Sequence, residues 1–186
     1  GVDWKDEASQ HLRFVQLLKL SEQKQGFSIN DLGCGYGSLF GYMTAQGYHD
    51  FHFYGYDLSA EMINHAKQVY ANDTRGEFHQ ITDAAVLKNA TYAVASGIFN
   101  VKMHYQEADW LAYILKTLEG LNDHSQRGFA FNILTRYADK EYMRDDLYYA
   151  DRCFFFDYCK RNFSRHVALL HDYGLYEFTV LVRKEV

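Results

Sequence analysis

The stretch "INDLGCGYGSLFGYM", from Ile29 to Met43, decides the fold of this chain. Three glycines, Gly33, Gly35 and Gly37, take every second position after a short apolar run and before a segment with helical periodicity. Glycine is unfavourable inside a regular element, so such a cluster indicates a turn with unusual dihedrals or a ligand that lies against bare backbone. The rest of the sequence has to decide between these two explanations.

Segments typical of strands alternate with segments typical of helices along the chain. Strands are predicted at 27–33, 51–58, 76–81, 91–99 and 128–135, and helices at 7–20, 38–46, 60–70, 107–121 and 155–163. Two last strands, 166–174 and 175–184, predict a terminal hairpin with a tight turn at Tyr173–Gly174. The order predicts an α/β fold with a doubly wound, mostly parallel, seven-stranded Rossmann-like sheet that ends in an antiparallel hairpin.

Length and charge limit what the protein can be. The 186 residues, 48 % of them apolar, fit a single domain over 1–186, and the start at Gly1 without a methionine suggests that an N-terminal segment is missing. The net charge is −5, and the one basic cluster, Lys160, Arg161 and Arg165, is too small for a nucleic-acid backbone. Nucleic acid is therefore not expected as a partner.

The cysteines point to a reducing compartment. There are three of them, an odd number without a Cys-x-x-Cys pair, which argues against a disulfide scaffold. Cys153, Cys159 and His166 match no zinc-binding spacing, so no metal is expected. Neither a membrane span nor a signal peptide is visible. The sequence predicts a cytoplasmic protein that does not associate with membranes.

The glycine loop indicates the class of ligand. In a doubly wound sheet, ligands bind at the carboxyl ends of the strands beside the first strand, where this loop lies. A dinucleotide site requires Gly-x-Gly-x-x-Gly, but Ser38 stands where the third glycine belongs, and Asp31 would repel a pyrophosphate. Asp31 suits an ammonium group instead, and Asp57, at the end of the second predicted strand, can accept both ribose hydroxyls. Together these features predict S-adenosylmethionine, with an NAD-binding oxidoreductase as the less favoured alternative.

Two motifs carry a family resemblance. "DLGCGYG" (31–37) resembles the first motif of class I S-adenosylmethionine-dependent methyltransferases. "YGYDLSAEMINHAK" (54–67) resembles their second motif, Asp-x-Ser-x-x-Met-Ile-x-x-Ala, on the expected elements and in the expected order. The resemblance extends from about Phe27 to the terminal hairpin. The later segments "VASGIFNVK", "DLYYAD" and "VALLHDYGLYEF" resemble a bacterial group of unassigned substrate.

The resemblance implies a set of residues that bind S-adenosylmethionine, with S-adenosylhomocysteine as the product. They are Asp31, Gly33, Cys34, Gly35 and Gly37 on the methionine side, Asp57, Leu58 and Met62 in the second motif, Asp83 and Ala84 at the adenine, Ser96 and Gly97 beneath the cofactor, and Arg13 at its carboxylate. Two of these residues have a plain structural alternative: Asp83 as a capping aspartate in a loop, and Arg13 as a surface arginine.

Motifs that are missing from the sequence limit the classes of methyl acceptor that we expect. The segment after the fourth strand contains no Asn/Asp-Pro-Pro-Tyr for base amines and no Pro-Cys nucleophile, and the chain lacks the glutamate pair of arginine methylation. Ser96 and Asn132 occupy the positions where catechol-type enzymes hold a metal, which favours a metal-independent reaction. We therefore expect methyl transfer to the oxygen or nitrogen of a small molecule, or else a catalytically silent protein that binds S-adenosylmethionine for regulation.

The sequence indicates the catalytic residues less clearly than the residues that bind the cofactor. His104, Tyr148 and Tyr149 are the candidate catalytic residues, and Asn100, Asn132 and Tyr137 are further candidates for lining the acceptor site. None of them belongs to a recognisable constellation, and each can equally serve in packing. The long connection at 136–152 follows the fifth predicted strand and is expected to form part of the acceptor site, because long loops in compact domains are often functional.

Overall fold

Seven strands alternate with five helices in the computed structural model of the chain, which describes residues 4–184. The strands are β1 (Phe27–Leu32), β2 (Phe51–Asp57), β3 (Gly76–Gln80), β4 (Ala90–Ala95), β5 (Ser125–Leu134), β6 (His166–Leu170) and β7 (Glu177–Arg183). The helices are α1 (Trp4–Leu18), α2 (Ser38–Ala45), α3 (Ala60–Val69), α4 (Glu107–Asp123) and α5 (Arg152–Asn162). Short 3-10 turns at Ala84–Val86 and Lys140–Tyr142 lie in two of the connections.

The strands form one sheet in the order β3-β2-β1-β4-β5-β7-β6. The first five pair in parallel, and β7 runs antiparallel between β5 and β6. This topology confirms the predicted mostly parallel sheet with a C-terminal antiparallel hairpin. The chain leaves β1 towards β2 on one side and returns to β4 on the other, which places a crevice at the carboxyl ends of β1 and β4.

One predicted strand is wrong in its extent. The pattern predicted a strand over 91–99, whereas β4 ends at Ala95. Gly97 has a φ of +73°, outside the extended region, so the chain turns there and residues 96–99 form a loop. The loop starts at the edge of the sheet where ligands bind, and its Phe99 is fully buried in the core between the sheet and helices α4 and α5.

Helices cover both faces of the sheet. Side chains from α1, α2 and α3 pack on one face around Phe40 and Phe53, and side chains from α4 and α5 pack on the other around Phe131 and Phe155. Neighbours along a strand point to opposite faces, so Val94 contributes to the first core and Ala95 to the second. The apolar strands are buried on both sides, as expected for a parallel sheet.

A partly buried ion pair between Arg13 and Glu177 fixes α1 across the edge of the sheet. The Nε of Arg13 donates to Oε1 of Glu177 at 2.6 Å, and Glu177 is only 1 % exposed. The hydroxyl of Tyr173 donates to the other carboxylate oxygen at 3.3 Å. Glu177 pairs in register with Leu134, the last residue of β5, so α1 is tied to the edge where the parallel strands end.

Asn30, in the middle of β1, links three elements at the centre of the sheet. Its side chain is fully buried, and its Nδ2 donates to the carbonyl of Lys88 at 2.6 Å and to that of His124 at 3.3 Å. Lys88 precedes β4, and His124 caps the C-terminal end of α4. The amide therefore satisfies two carbonyls at the amino-terminal ends of β4 and β5, on the edge of the sheet opposite the ligand-binding crevice.

We predict that Asn30→Asp lowers the free energy of unfolding by about 2–4 kcal/mol, because a carboxylate cannot donate to either carbonyl and its charge is buried. Urea denaturation measures the change. Asn162→Asp is the matched control: it removes a similar amide bond to the Tyr158 carbonyl, but an exposed one. Its effect should not exceed about 1 kcal/mol. Equal effects of the two substitutions would contradict the structural role given to Asn30.

Candidate functional site

The glycine loop follows β1 and needs its glycines for two reasons. Gly33, Gly35 and Gly37 have φ values of +81°, +55° and +86°, in the left-handed region that residues with a Cβ rarely adopt. Space is also short, since a Cβ on Gly33 would lie 2.2 Å from Cγ2 of Ile98, in the loop after β4. The first explanation raised by the sequence, unusual dihedrals, therefore applies. The close approach at Gly33 comes from Ile98, and a ligand against the loop stays a prediction.

The amides of the glycine loop are already bonded within the protein. Gly33 and Cys34 both donate to the carbonyl of Tyr56, at 2.7 and 2.9 Å. Gly35 donates to Oδ2 of Asp57 at 2.9 Å, and Gly37 donates to the carbonyl of Cys34 at 3.0 Å. A phosphate site needs such N–H groups to point at the ligand. Four of the loop amides are not free to do so.

Asp57, at the end of β2, is held in a fixed orientation. Its Oδ2 accepts from Gly35 and its Oδ1 accepts from the amide of Ser59, each at 2.9 Å. Ser59 in turn caps α3 by accepting from the amide of Met62 at 3.2 Å. Each carboxylate oxygen can accept more than one hydrogen bond, so both oxygens keep capacity for a pair of ligand hydroxyls.

Asp31, in β1, is a buried acid without a hydrogen-bond donor. The residue is 3 % exposed, and its carboxylate has neither a hydrogen bond nor an ion pair with any residue in 4–184. Burial, and then the negative charge of Asp57, raises the pKa of its carboxyl from 3.8 to about 7. A buried carboxylate that lacks a partner is unfavourable, so a cation bound beside Asp31 would relieve a real cost.

A cavity of about 340 Å³ lies next to the loop, over the carboxyl ends of β1, β2 and β3. The residues that line it are Leu32, Gly33, Asp57, Leu58, Ile81, Thr82, Asp83, Ala84, Ile98, Trp110, Tyr113, Lys116 and Thr117. Leu58, at 67 % exposure, presents an unusually open apolar side chain to it. Asp83 caps the 3-10 turn, since its Oδ1 accepts from the amide of Ala85 at 2.7 Å, and it also lines the cavity. A contact between Asp83 and the adenine stays a prediction.

Helix α4 supplies the wall of the cavity that the sequence analysis missed. Trp110, Tyr113 and Thr117 line the cavity from one side of α4, and the indole Nε1 of Trp110 donates to the carbonyl of Phe99 at 2.8 Å. Their i, i+3, i+7 spacing was a readable signal of a shared helix face. It was hidden by the stronger apolar stripe around Ile114 and Leu118, which belongs to the core.

The two asparagines near the candidate acceptor side hold the loop after β4. The Oδ1 of Asn132 accepts from the amide of Gly97 at 2.7 Å, and its Nδ2 lies 3.5 Å from the hydroxyl of Ser96. The Oδ1 of Asn100 accepts from the amide of Leu134 at 3.0 Å. These contacts make Asn100 and Asn132 positioning residues for the loop.

The connection at 136–152 packs along the same loop. The amide of Tyr148 donates to the carbonyl of Asn100 at 2.8 Å, and Val101 and Leu147 form an antiparallel bridge. This contact puts the connection at the carboxyl-end edge of the sheet, where the sequence analysis expected it. Its role at an acceptor site stays a prediction.

The remaining predicted residues lie away from the cavity lining. Arg13 is engaged by Glu177, Tyr148 is 8 % exposed within the second core, and the Tyr149 hydroxyl accepts from the amide of Arg144 at 3.0 Å. His104 is exposed and stacks on Tyr105. Cys34 is buried beneath the glycine loop, where burial raises the pKa of its thiol.

Within residues 4–184 there is neither a cluster of metal-ligating side chains nor a helix that could span a membrane. No group of three or more His, Cys, Asp or Glu side chains in that range is arranged to hold a metal ion. No helix within it is both long enough and apolar enough to cross a membrane.

The raised pKa of Asp31 predicts a specific pH dependence of stability. Between about pH 4 and pH 7 the folded protein holds a proton on Asp31 that the unfolded chain has lost, so this carboxyl makes stability fall as the pH rises. Asp31→Asn removes the effect. As the pH rises through this window, the free energy of unfolding of Asp31→Asn should increase relative to that of the wild type, by up to about 4 kcal/mol. Urea denaturation of the ligand-free proteins at several pH values measures it, and parallel pH profiles would contradict the burial described for Asp31.

Comparison with known proteins identifies the family. A family model described as "Methyltransferase domain" matches residues 29–123, which include the glycine loop, Asp57 and most of the cavity. A Mycobacterium tuberculosis (strain ATCC 25618 / H37Rv) protein named "Putative methyltransferase Rv1506c" is 53 % identical over 158 residues, covering 85 % of this chain and 93 % of that protein.

Solved structures show the same fold at low sequence identity. Magnesium protoporphyrin IX methyltransferase from Synechocystis PCC 6803, with bound SAH, superposes with a TM-score of 0.72 at 15 % identity, over 100 % of this chain and 89 % of that one. Human N-acetylserotonin methyltransferase in complex with SAM superposes with a TM-score of 0.68 at 14 % identity, over 96 % of this chain and 53 % of that one. The N-terminal domain of EvdMO1, in the presence of SAH and D-fucose, superposes with a TM-score of 0.65 at 16 % identity, over 100 % of this chain and 85 % of that one.

The sequence matches cover more than half of the chain, and they include the loop and the acid at the end of β2 that form the site. The chain belongs to the methyltransferase family.

Proposed function

We propose that this methyltransferase transfers the methyl group of S-adenosylmethionine to an oxygen or nitrogen of a small molecule, without a metal, and releases S-adenosylhomocysteine. The observation that carries the proposal is the pairing of a donor-free buried acid, Asp31, with an oriented acid, Asp57, on either side of the glycine loop. An ammonium group and a ribose diol are the two ligand features that these acids fit, and S-adenosylmethionine has both.

The residues present fit this cofactor along its length. Asp31 would pair with the amino group of the methionine part, and Asp57 would accept from the ribose hydroxyls. The adenine would enter the cavity between Leu58, Ala84 and Ile98. The bound cofactor supplies the reactive sulfonium methyl, and the protein supplies alignment and exclusion of water.

The bonding of the loop also argues against a nicotinamide cofactor. A pyrophosphate would need free N–H groups at the loop, but the amides of Gly33, Cys34, Gly35 and Gly37 have acceptors within the protein. Asp31 would add repulsion at the same place. The alternative of an NAD-binding oxidoreductase therefore fits this loop poorly.

The acceptor side is the less determined half of the site. The loop after β4 exposes Val101, Met103 and Tyr105, each at about half of its accessible surface, and the connection at 136–152 packs against it. An apolar rim of this kind suits a small acceptor with an apolar or ring-shaped body. Two proteins with the same fold, magnesium protoporphyrin IX methyltransferase and the N-terminal domain of EvdMO1 with D-fucose, are associated with small molecules, which supports a small-molecule acceptor here.

We predict that isothermal titration calorimetry of the purified protein detects binding of S-adenosylmethionine and S-adenosylhomocysteine but not of NAD. The reason is that Asp31 and the bonded loop amides favour an ammonium over a pyrophosphate. Heat with NAD together with none from either sulfur nucleoside would overturn the proposed function.

Asp57→Asn should weaken binding of S-adenosylhomocysteine about tenfold or more, because hydrogen bonds from ligand hydroxyls to a carboxylate contribute about 1.5–3 kcal/mol. Asparagine is the right substitution because it keeps one oxygen for the amides of Gly35 or Ser59, whereas alanine would release both. Glu61→Gln, an exposed change of the same charge at the start of α3, is the control and should leave affinity unchanged. Equal affinities in all three proteins would mean that the ribose lies elsewhere.

A further inference from the structure

A second cavity, also of about 340 Å³, opens between the N-terminal ends of α4 and α5. Residues from α4, from the connection at 136–152 and from the start of α5 line it: Glu107, Ala108, Leu111, Arg136, Tyr148, Asp151, Phe154 and Phe155. Its floor is aromatic and aliphatic, and its rim carries three charged side chains. The cofactor proposal does not use any of these residues.

Helix α4 separates this cavity from the one beside the glycine loop. Glu107, Ala108 and Leu111 face the second cavity, while Trp110 and Tyr113 face the first. With about 3.6 residues per turn, these two sets lie on different sides of the helix. A molecule in the second cavity would therefore not share the cavity beside the glycine loop.

Tyr148 lines this cavity, and its hydroxyl has no hydrogen-bond partner among the described residues. The residue is 8 % exposed. Burial, and next the charge of Glu107, raises the pKa of this phenol, so the hydroxyl stays protonated and faces a negative group. The hydroxyl is not sealed from solvent, so a ligand or water in the cavity can form a hydrogen bond with it.

Of the two carboxylates at the rim of the cavity, one has no ion-pair partner among the described residues. Asp151 is engaged twice, because its Oδ1 caps α5 by accepting from Cys153 at 2.9 Å and its Oδ2 lies 3.6 Å from Nη1 of Arg136. Glu107 has neither an ion pair nor a hydrogen bond among the described residues. Phe154, 40 % exposed, presents an aromatic surface beside this free carboxylate.

We propose that this second cavity binds an organic ammonium ion, a primary amine carried on an aromatic or aliphatic body. The ammonium pairs with the Glu107 carboxylate and donates to the Tyr148 hydroxyl, which fills the vacant hydrogen bond. The body packs on Leu111 and Phe154, where an aromatic ring also attracts a cation. A ligand carboxylate would instead meet two acidic side chains and only one arginine, already shared with Asp151.

The first test uses three probes of nearly equal shape on the complete protein, saturated with S-adenosylhomocysteine or free. Phenethylamine should bind in the millimolar range by calorimetry, and more tightly than phenethyl alcohol or hydrocinnamate, which lack the positive charge. Binding of the amine that is no tighter than that of the alcohol, or no binding of the amine, would overturn the proposal.

The second test places the amine with variants. Glu107→Gln should weaken phenethylamine binding at least about fivefold, since an ion pair and a charge-assisted hydrogen bond are lost. Asp109→Asn, in the same first turn of α4 and outside the cavity lining, is the matched control and should leave the affinity unchanged. Asp31→Asn should also leave it unchanged. Loss of binding in Asp31→Asn rather than in Glu107→Gln would place the amine beside the glycine loop and contradict a second site.

Discussion

The ligand-binding half of this protein depends on how the end of β2 holds the glycine loop. Two loop amides share the carbonyl of Tyr56, and a third bonds the carboxylate of Asp57. These three bonds extend the parallel pairing of β1 and β2 beyond the strands, so the loop is part of the sheet edge rather than an open cradle. Because its donors are used internally, the loop has little to offer an anion, and Asp31 beneath it remains without a donor.

Two helices next to the carboxyl ends of the parallel strands have different roles. Helix α1 is tied to the carboxyl end of β5 and the amino end of β7 by the Arg13–Glu177 pair, and α4 forms a wall between two cavities. A change on α4 can therefore affect either cavity without altering the sheet. The loop after β4, held by Asn100 and Asn132, connects the cofactor side to the candidate acceptor side.

Much of the fold and of the cofactor side could be predicted from the sequence, because both rest on local signals. The glycines, Ser59 and Gly47 mark turns and caps whose chemistry is short-range, and Gly47 indeed has a φ of +84° just after α2. Contacts between distant elements could not be predicted. Arg13 was assigned to the cofactor, but its partner Glu177 lies 164 positions away. The extent of β4 was overestimated because periodicity does not reveal that Gly97 turns the chain.

Proton release on ligand binding tests the central claim most directly. If Asp31 carries a proton in the free protein near neutral pH and gives it up to pair with the amino group of the ligand, binding must release that proton. Calorimetric titration with S-adenosylhomocysteine at about pH 6.5, where an α-amino group is still charged, in two buffers of different ionisation enthalpy, measures it. We predict release of most of one proton per ligand by the wild type and almost none by Asp31→Asn. Binding without proton release, or with equal release in both proteins, would contradict the account.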